Sequence, residues 1–426
     1  VKLLERFFQI EHHRTSTQTE MAAGLTSYFT VVYIIVVNGA IISDSGVPFE
    51  AAIIATVITS FVGCLIMGLW ANAPIILVPG MGINAFFTYT IVQDMGLAWN
   101  EAFAVVAISG LFFIITAFSG LSSLITNSIP TSMKKGITVG IGLLITFIGL
   151  QKGGMIAANK ETFVEIGDLS NPKVWLTLGS LVVTVVLFVR KVRGGFLISI
   201  LLTTLVAILT GIQPIDTSDQ ISFSLHSYLD VLGHLSFAKM ATVPFWTATF
   251  VMTMVLVFEN VGLLQGMLED KSKFPRAFQA NAVSAMSAGI LGTSPTVSAL
   301  ESAAGIASGG KTGLTSVITG FLFLASLFFI PFIKWIPDSA ISAVLIVIGG
   351  LMIQEVASIP FSDYTEGIPA FITFAFIPFT YSIPDGIAFG FIAYAILKFA
   401  ANKAKEVPTS FFVIAALFFL QLVLHS

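Results

Sequence analysis

Charge is the scarcest resource in this 426-residue chain: only 10% of its residues are Asp, Glu, Lys or Arg, against roughly a quarter in an ordinary soluble domain. Too few polar groups remain to cover a water-facing surface of this size. The single Cys64 excludes an intramolecular disulfide framework and a cysteine metal cluster. Histidine is almost as rare, and His12, His13, His226, His234 and His425 all fall outside the long apolar runs, so an intramembrane haem or zinc site has no obvious ligands. With a net charge of −3 there is no basic stripe for nucleic acid. No HExxH, Ser/His/Asp grouping or phosphate-binding loop occurs, which argues against an enzyme, and no cofactor is implied.

What is abundant is apolar surface: 56% hydrophobic residues and a mean hydropathy of +0.94. An all-α polytopic membrane protein is the reading that accommodates it. A bilayer crossing needs about 20 helical residues, and the runs are too long and uniform for barrel strands. The spans expected are 21–42, 52–71, 74–93, 101–120, 133–151, 173–189 and 195–211. A polar stretch over 212–242, with Asp216, Asp219, His226, Asp230 and His234, separates them from 243–268, 276–292, 293–310, 314–333, 337–353, 368–381 and 384–401. That makes fourteen, and 409–424 is left as an extra hydrophobic segment. The chain opens with charged residues and its first apolar run is of span length, so no cleaved secretory signal is expected. Lys2, Arg6 and Arg14 put the N-terminus in the cytoplasm, where the loops at Lys134–Lys135, Arg190–Arg193, Lys271–Arg276, Lys311 and Lys398–Lys405 then also fall. The acidic loop at 354–366 falls inside against the rule.

The two sevens read as repeats. Setting Asn38 on Glu259 also sets Thr26-Ser27-Tyr28-Phe29 on Thr247-Ala248-Thr249-Phe250, and setting Asn84 on Glu301 sets Gly96-Leu97 on Gly313-Leu314. Seven is odd, so residues 1–211 and 243–401 would enter the membrane from opposite sides, the inverted arrangement of secondary transporters. The third segment of each half is interrupted. APIILVPGMGINAFF (73–87) holds Pro74, Pro79, Gly80 and Gly82, and GILGTSPTVSALESAAGIASGG (289–310) holds Ser294, Pro295 and Thr296. Neither can be one unbroken helix. An extended stretch followed by a half-helix, its positive dipole end near mid-membrane, is expected in both. Gly136 with Gly140, and Gly262 with Gly266, read as close-packing faces.

Two carboxylates stand in this interior. Glu259 closes the apolar run from Val243, and Glu301 lies inside the second interrupted segment. An unpaired charge at such depth is costly, so a functional role, including proton exchange, is the default expectation. Asn38 and Asn84 are weaker candidates as interhelical supports, while Phe86 and Phe87 could stack on a flat ring. The two acids argue against a small-anion substrate; a passive channel stays open.

GMGINAFF (80–87), VFENVGLLQG (257–266) and GTSPTVSALESAAGIASGGKTGL (292–314) resemble signature segments of the nucleobase/ascorbate transporter superfamily, in its AzgA-like purine permease branch. LLERFFQI and TEMAAGLTSYFTVVYI near the N-terminus fit as well. The resemblance implies a core domain (21–120 and 243–333) that carries substrate and a gate domain (133–211 and 337–401), with short antiparallel strands in segments 3 and 10. It implies that Glu259 and Glu301 hydrogen-bond a purine nucleobase, that Asn84 supports the site with Phe86, Phe87 and Thr296 around it, and that Asn38, Gly80, Gly82, Ser294 and Pro295 back it up. Two departures stand out. Phe258-Glu259 replaces the branch's usual phenylalanine–aspartate pair, and Pro295 stands where relatives commonly carry Thr or Ser. The activity implied is proton-coupled purine uptake (hypoxanthine, guanine or adenine) across the cytoplasmic membrane; uracil, xanthine or a small anion is the alternative. Monomer and homodimer both remain open.

Overall fold

The computed structural model describes residues 2–121, 128–213 and 225–425; the expectation for Asp216 and Asp219 lies outside them. Among the described residues nine helices are long and apolar enough to cross a membrane, from Thr17–Ser43 to Ile383–Ala400. The first half consists of α1 (Thr17–Val31), α2 (Ile34–Ser43), α3 (Phe49–Ile66), β1 (Leu77–Pro79), α4 (Met81–Ala85), α5 (Trp99–Ser119), α6 (Thr131–Lys152), an exposed hairpin of β2 (Ile156–Asn159) and β3 (Phe163–Ile166), α7 (Pro172–Val189) and α8 (Gly195–Leu209). The second half consists of α9 (Val243–Met267), α10 (Phe274–Leu291), β4 (Thr296–Ser298), α11 (Ser302–Ala307), α12 (Gly313–Ala325), α13 (Asp338–Ile353), α14 (Tyr364–Thr380) and α15 (Ile383–Ala400), with α16 (Thr409–His425) after it. Helix starts obey local chemistry. Asn171 caps α7 ahead of Pro172, and Thr312 caps α12 through the Leu314 N–H at 3.3 Å.

Both interrupted segments contain the expected extended stretch, and the two stretches pair with each other. β1 and β4 run antiparallel with Leu77 opposite Ser298, Val78 opposite Val297 and Pro79 opposite Thr296. The ladder continues at either end, Gly80 N–H donating to the Pro295 carbonyl at 3.3 Å and Ala299 N–H to the Ile76 carbonyl at 2.8 Å. Side chains satisfy the remaining strand groups: Ser302 Oγ accepts from Ile76 N–H at 2.9 Å, Asn260 Oδ1 accepts from Ser298 N–H at 2.8 Å, and Ser316 Oγ donates to the carbonyls of Ala73 and Ile75. Away from water, non-helical backbone survives only with such partners. The half-helices differ from expectation in length. α4 has five residues before a π-helix over Phe86–Asp94 continues it, whereas α11 has only six, so at α11 side chains must supply much of the local polarity.

Around this crossing, α5 packs on α10 and α9, and α12 packs on α1 and α3. Elsewhere α6 packs on α13 and α14, α7 on α13, and α14 on α15, with α16 lying along α15 through the stacked rings of Phe391 and Phe411 at 4.8 Å. The expected glycine faces divide. A Cβ on Gly140 would meet Ile377 Cδ1 at 2.5 Å and one on Gly136 the Ala370 carbonyl at 3.0 Å, but Gly262 and Gly266 have nothing within 4 Å and are not a packing face. The acidic loop that broke the charge rule has its own cations: Lys398, only 3% exposed, pairs with Glu366 at 2.7 Å, and Lys403 pairs with Asp363 at 2.8 Å. The Lys403 bond, with Asp363 also accepting from Thr365, holds the Asp363 carboxyl below the ordinary aspartate range.

Gly110 marks a tight backbone crossing, because a Cβ there would stand 2.3 Å from Met286 Cα. Gly110→Ala should destabilise the protein by about 1–3 kcal/mol through forced separation of α5 and α10, whereas Gly350→Ala, at a position with open space, should not. Thermal unfolding of the two variants in detergent checks this; equal midpoints would contradict the packing.

Candidate substrate site

β4 turns through Ala299 and Leu300 into Glu301, which immediately precedes α11. One carboxylate oxygen of Glu301 accepts a short hydrogen bond from the Tyr33 hydroxyl. Tyr33 stands where the first span breaks: Val32 and Tyr33 form a turn between α1 and α2, with no proline present, and the tyrosine is 3% exposed. Its ring meets Phe196 of α8 edge-on at 4.9 Å, and Phe196 in turn stacks on Phe188 of α7. Glu301, Phe196 and Phe188 border a cavity of about 460 Å³ lined also by Thr30, Leu300 and Ala304, with Lys191 and Arg193 towards the α7–α8 turn. The volume suits a small planar ligand, and the lining is mostly apolar, with the Glu301 carboxylate in its wall and two cations at its edge, the usual build of a small-molecule site.

Glu259 is half-buried on α9, and among the described residues it has no hydrogen bond or ion pair. Its position is fixed through its neighbour. Asn260 Oδ1 accepts from the Ser298 backbone, and the Asn260 amide also meets that of Asn281 on α10, so α9 is tied to β4 three residues before Glu301.

The remaining expected residues form the frame of the crossing. Ser294 Oγ donates to Asn84 Oδ1 at 2.5 Å, while Asn84 Nδ2 is buried without a partner among the described residues. Asn38 Nδ2 donates to Thr56 Oγ1 at 2.7 Å and Thr293 Oγ1 at 3.1 Å. The Thr296 hydroxyl is shared with Ser284 at 2.7 Å. Phe86 is 2% exposed, and Phe87 stacks on Phe103 of α5 at 5.2 Å. Gly80 and Gly82 are needed for close approach, since a Cβ on either would stand 2.7 Å from Val297 or Ile141 respectively. Of the residues expected to touch substrate, Glu301 lines this cavity; Glu259, Asn84, Phe86, Phe87 and Thr296 do not.

Sequence reasoning missed Tyr33, Asn260 and Phe196. The first two carried a readable signal, a phenol within an apolar run and an amide beside a buried acid. Phe196 was one of 39 phenylalanines. No group of three or more His, Cys, Asp or Glu among the described residues could hold a metal ion.

Residues 18–421 match the model of the Xan_ur_permease family, described as a permease family. The chain is 45% identical over 381 residues to the nucleobase transporter PlAzg2 of Paenibacillus larvae, covering 88% of this chain and 76% of that protein. It is 38% identical to the guanine/hypoxanthine permease PbuO of Bacillus subtilis, with 97% and 99% covered. Among solved structures, the transmembrane domain of the cyanobacterial bicarbonate transporter BicA superposes with a TM-score of 0.65 at 16% identity, covering 88% of this chain and 97% of that one, which is a likeness of fold alone. The chain therefore belongs to the Xan_ur_permease family and is a membrane permease, a transporter rather than an enzyme.

Proposed function

We propose that this permease takes up purine nucleobases, hypoxanthine, guanine or adenine, together with protons by alternating access. The observation that carries the reading is the Glu301 carboxylate at the wall of a cavity, held by the neutral Tyr33 hydroxyl rather than by a cation. A purine edge presents ring N–H donors and ring-nitrogen acceptors in one plane. An ionised carboxylate can only accept, whereas a protonated one also donates, so acids that change protonation state can complete the pattern and link the base to a proton. Glu259, held beside β4 by Asn260, is the second such acid, and Asn84, Phe86, Phe87 and Thr296 complete the site's frame. The names of PlAzg2 and PbuO support a nucleobase cargo.

Movement follows from the packing. Segments within 21–120 and 243–333, which include the strand crossing, act as the core, and those within 133–211 and 337–401 act as the gate. The two inverted sevens are supported by the mutual pairing of the interrupted segments and by the likeness to BicA. The N-terminus is cytoplasmic in this reading, which places the α7–α8 turn, and with it the cavity mouth, on the cytoplasmic side.

Glu301→Gln should abolish radiolabelled hypoxanthine uptake while leaving membrane expression intact; normal uptake by this variant would remove Glu301 from the site. Tyr33→Phe frees the carboxylate to rotate and should raise KM about tenfold, the cost of one charge-assisted hydrogen bond, with Vmax largely retained. Glu259→Asp should keep transport but change the order in which adenine, guanine, xanthine and uracil compete, and an unaltered inhibition profile would count against a part for Glu259 in selecting the base. A protonophore should collapse uptake in the unmodified protein, and uptake indifferent to it would exclude proton coupling.

A further inference from the structure

The cavity lies towards one face of the molecule, and an ion pair stands at the opposite face. Asp44 follows α2, and Lys152 ends α6. Lys152 Nζ lies 2.6 Å from Asp44 Oδ2, with the two side chains only 18% and 28% exposed respectively. Tyr89 donates to the same Asp44 oxygen at 2.6 Å, and Gln93 Nε2 donates to the Asp44 carbonyl at 3.0 Å. Against Tyr89 stands Tyr381, edge-on at 5.8 Å, itself packed edge-on against Phe147 of α6 at 5.9 Å. Asp44, Tyr89 and Gln93 belong to the proposed core; Lys152, Phe147 and Tyr381 belong to the proposed gate.

Two observations give this cluster its meaning. Among the described residues, none of the other ion pairs joins core to gate: Lys239, in the stretch before the second half, pairs with Glu101 of the core, Lys334, just past the core, pairs with Glu50, and Lys173 with Asp338, Lys398 with Glu366 and Glu406, and Lys403 with Asp363 lie in the gate and its C-terminal continuation. Lys152–Asp44 is the ion pair that bridges the two among the described residues. Its side of the membrane is also fixed by the chain: α7 starts on the face where α6 ends, as Thr177 Oγ1 donates to the Gly153 carbonyl at 3.0 Å, and then crosses to the turn at Lys191–Gly194 that borders the cavity. Latch and mouth therefore lie on opposite faces.

We infer that Asp44 and Lys152 are gating residues for transport. Their ion pair, backed by Tyr89, closes the face opposite the cavity mouth, and it must break for Glu301 to become accessible from that face. The inference rests on the core-and-gate reading but not on the identity of the cargo. A partly buried pair holds one conformer over another only by its differential interaction, so removing either charge should shift the population towards the state open on the latch face.

The test uses Ala304→Cys, which puts a thiol in the cavity, while Cys64 stays silent because it is buried beside Leu77. Reconstituted protein is labelled without substrate, with a membrane-impermeant maleimide applied from each side. Adding Asp44→Asn or Lys152→Gln should slow labelling from the mouth face by about fivefold and speed it from the latch face, and the double exchange Asp44→Lys with Lys152→Asp should restore the original ratio. Unchanged labelling in both single variants would overturn the latch. Independently of those variants, Asp44→Cys with Lys152→Cys, joined by a cleavable bifunctional thiol reagent, should lose uptake and regain it on cleavage; uptake that survives the cross-link would also overturn it. Because labelling needs no cargo, a failed purine assay would leave this result intact, and an unaltered labelling ratio would leave the purine reading intact.

Discussion

The antiparallel meeting of two interrupted segments, β1 with β4, is the constraint on which the rest of this structure depends. In a bilayer an exposed strand would leave its N–H and C=O groups unpaired at several kcal/mol each, so neither break could exist alone. Each break instead supplies the partner of the other, and Asn260, Ser302 and Ser316 satisfy what the ladder leaves over. Once the strands are fixed, so are the residues at their ends. Glu301 emerges directly after β4, and Glu259 is carried on a helix tied to the same strand.

Geometry then separates residues that hold the crossing from those free to act. Asn38, Asn84, Ser294 and Thr296 bond to other framework groups, and Gly80 and Gly82 permit close approach. Glu301 differs, because its partner is a phenol rather than a cation and it faces a cavity. An acid paired with lysine would be locked in its ionised form; one held by a neutral hydroxyl keeps its capacity to exchange a proton. Where the protein does use a carboxylate–lysine pair across its two proposed bodies, at Asp44 and Lys152, the pair lies away from the cavity, on the face opposite it. The two kinds of carboxylate environment thus match two roles, binding and closure.

Much of the frame was legible in the sequence, since long apolar runs, paired prolines and isolated acids each have one economical explanation in a membrane. The extended stretches were expected at Pro79 and Pro295 because proline and glycine break a helix locally, but their mutual pairing is a long-range fact to which local chemistry gives no register. The break at Tyr33 was invisible for the opposite reason: no proline or glycine marks it, and the partner of the tyrosine there, Glu301, is distant in the chain. Phe86 and Phe87 show the limit of composition as a guide. Phe87 is held by Phe103, whereas the ring nearest Tyr33 in the cavity wall, Phe196, comes from a different helix. The glycines of α9 were misread because spacing alone does not say whether a neighbouring helix lies over them, and none does at Gly262 or Gly266. The hairpin of β2 and β3 was also missed, its strands being too short for an alternating pattern to stand out.

A cryo-electron microscopy map of the protein saturated with hypoxanthine tests the central claim most directly. The account predicts planar density in the cavity beside Phe196, with a ring nitrogen within hydrogen-bond distance of the Glu301 carboxylate and Tyr33 still on its other oxygen. Density for the base elsewhere, with Glu301 bonded to Tyr33 alone, would contradict it.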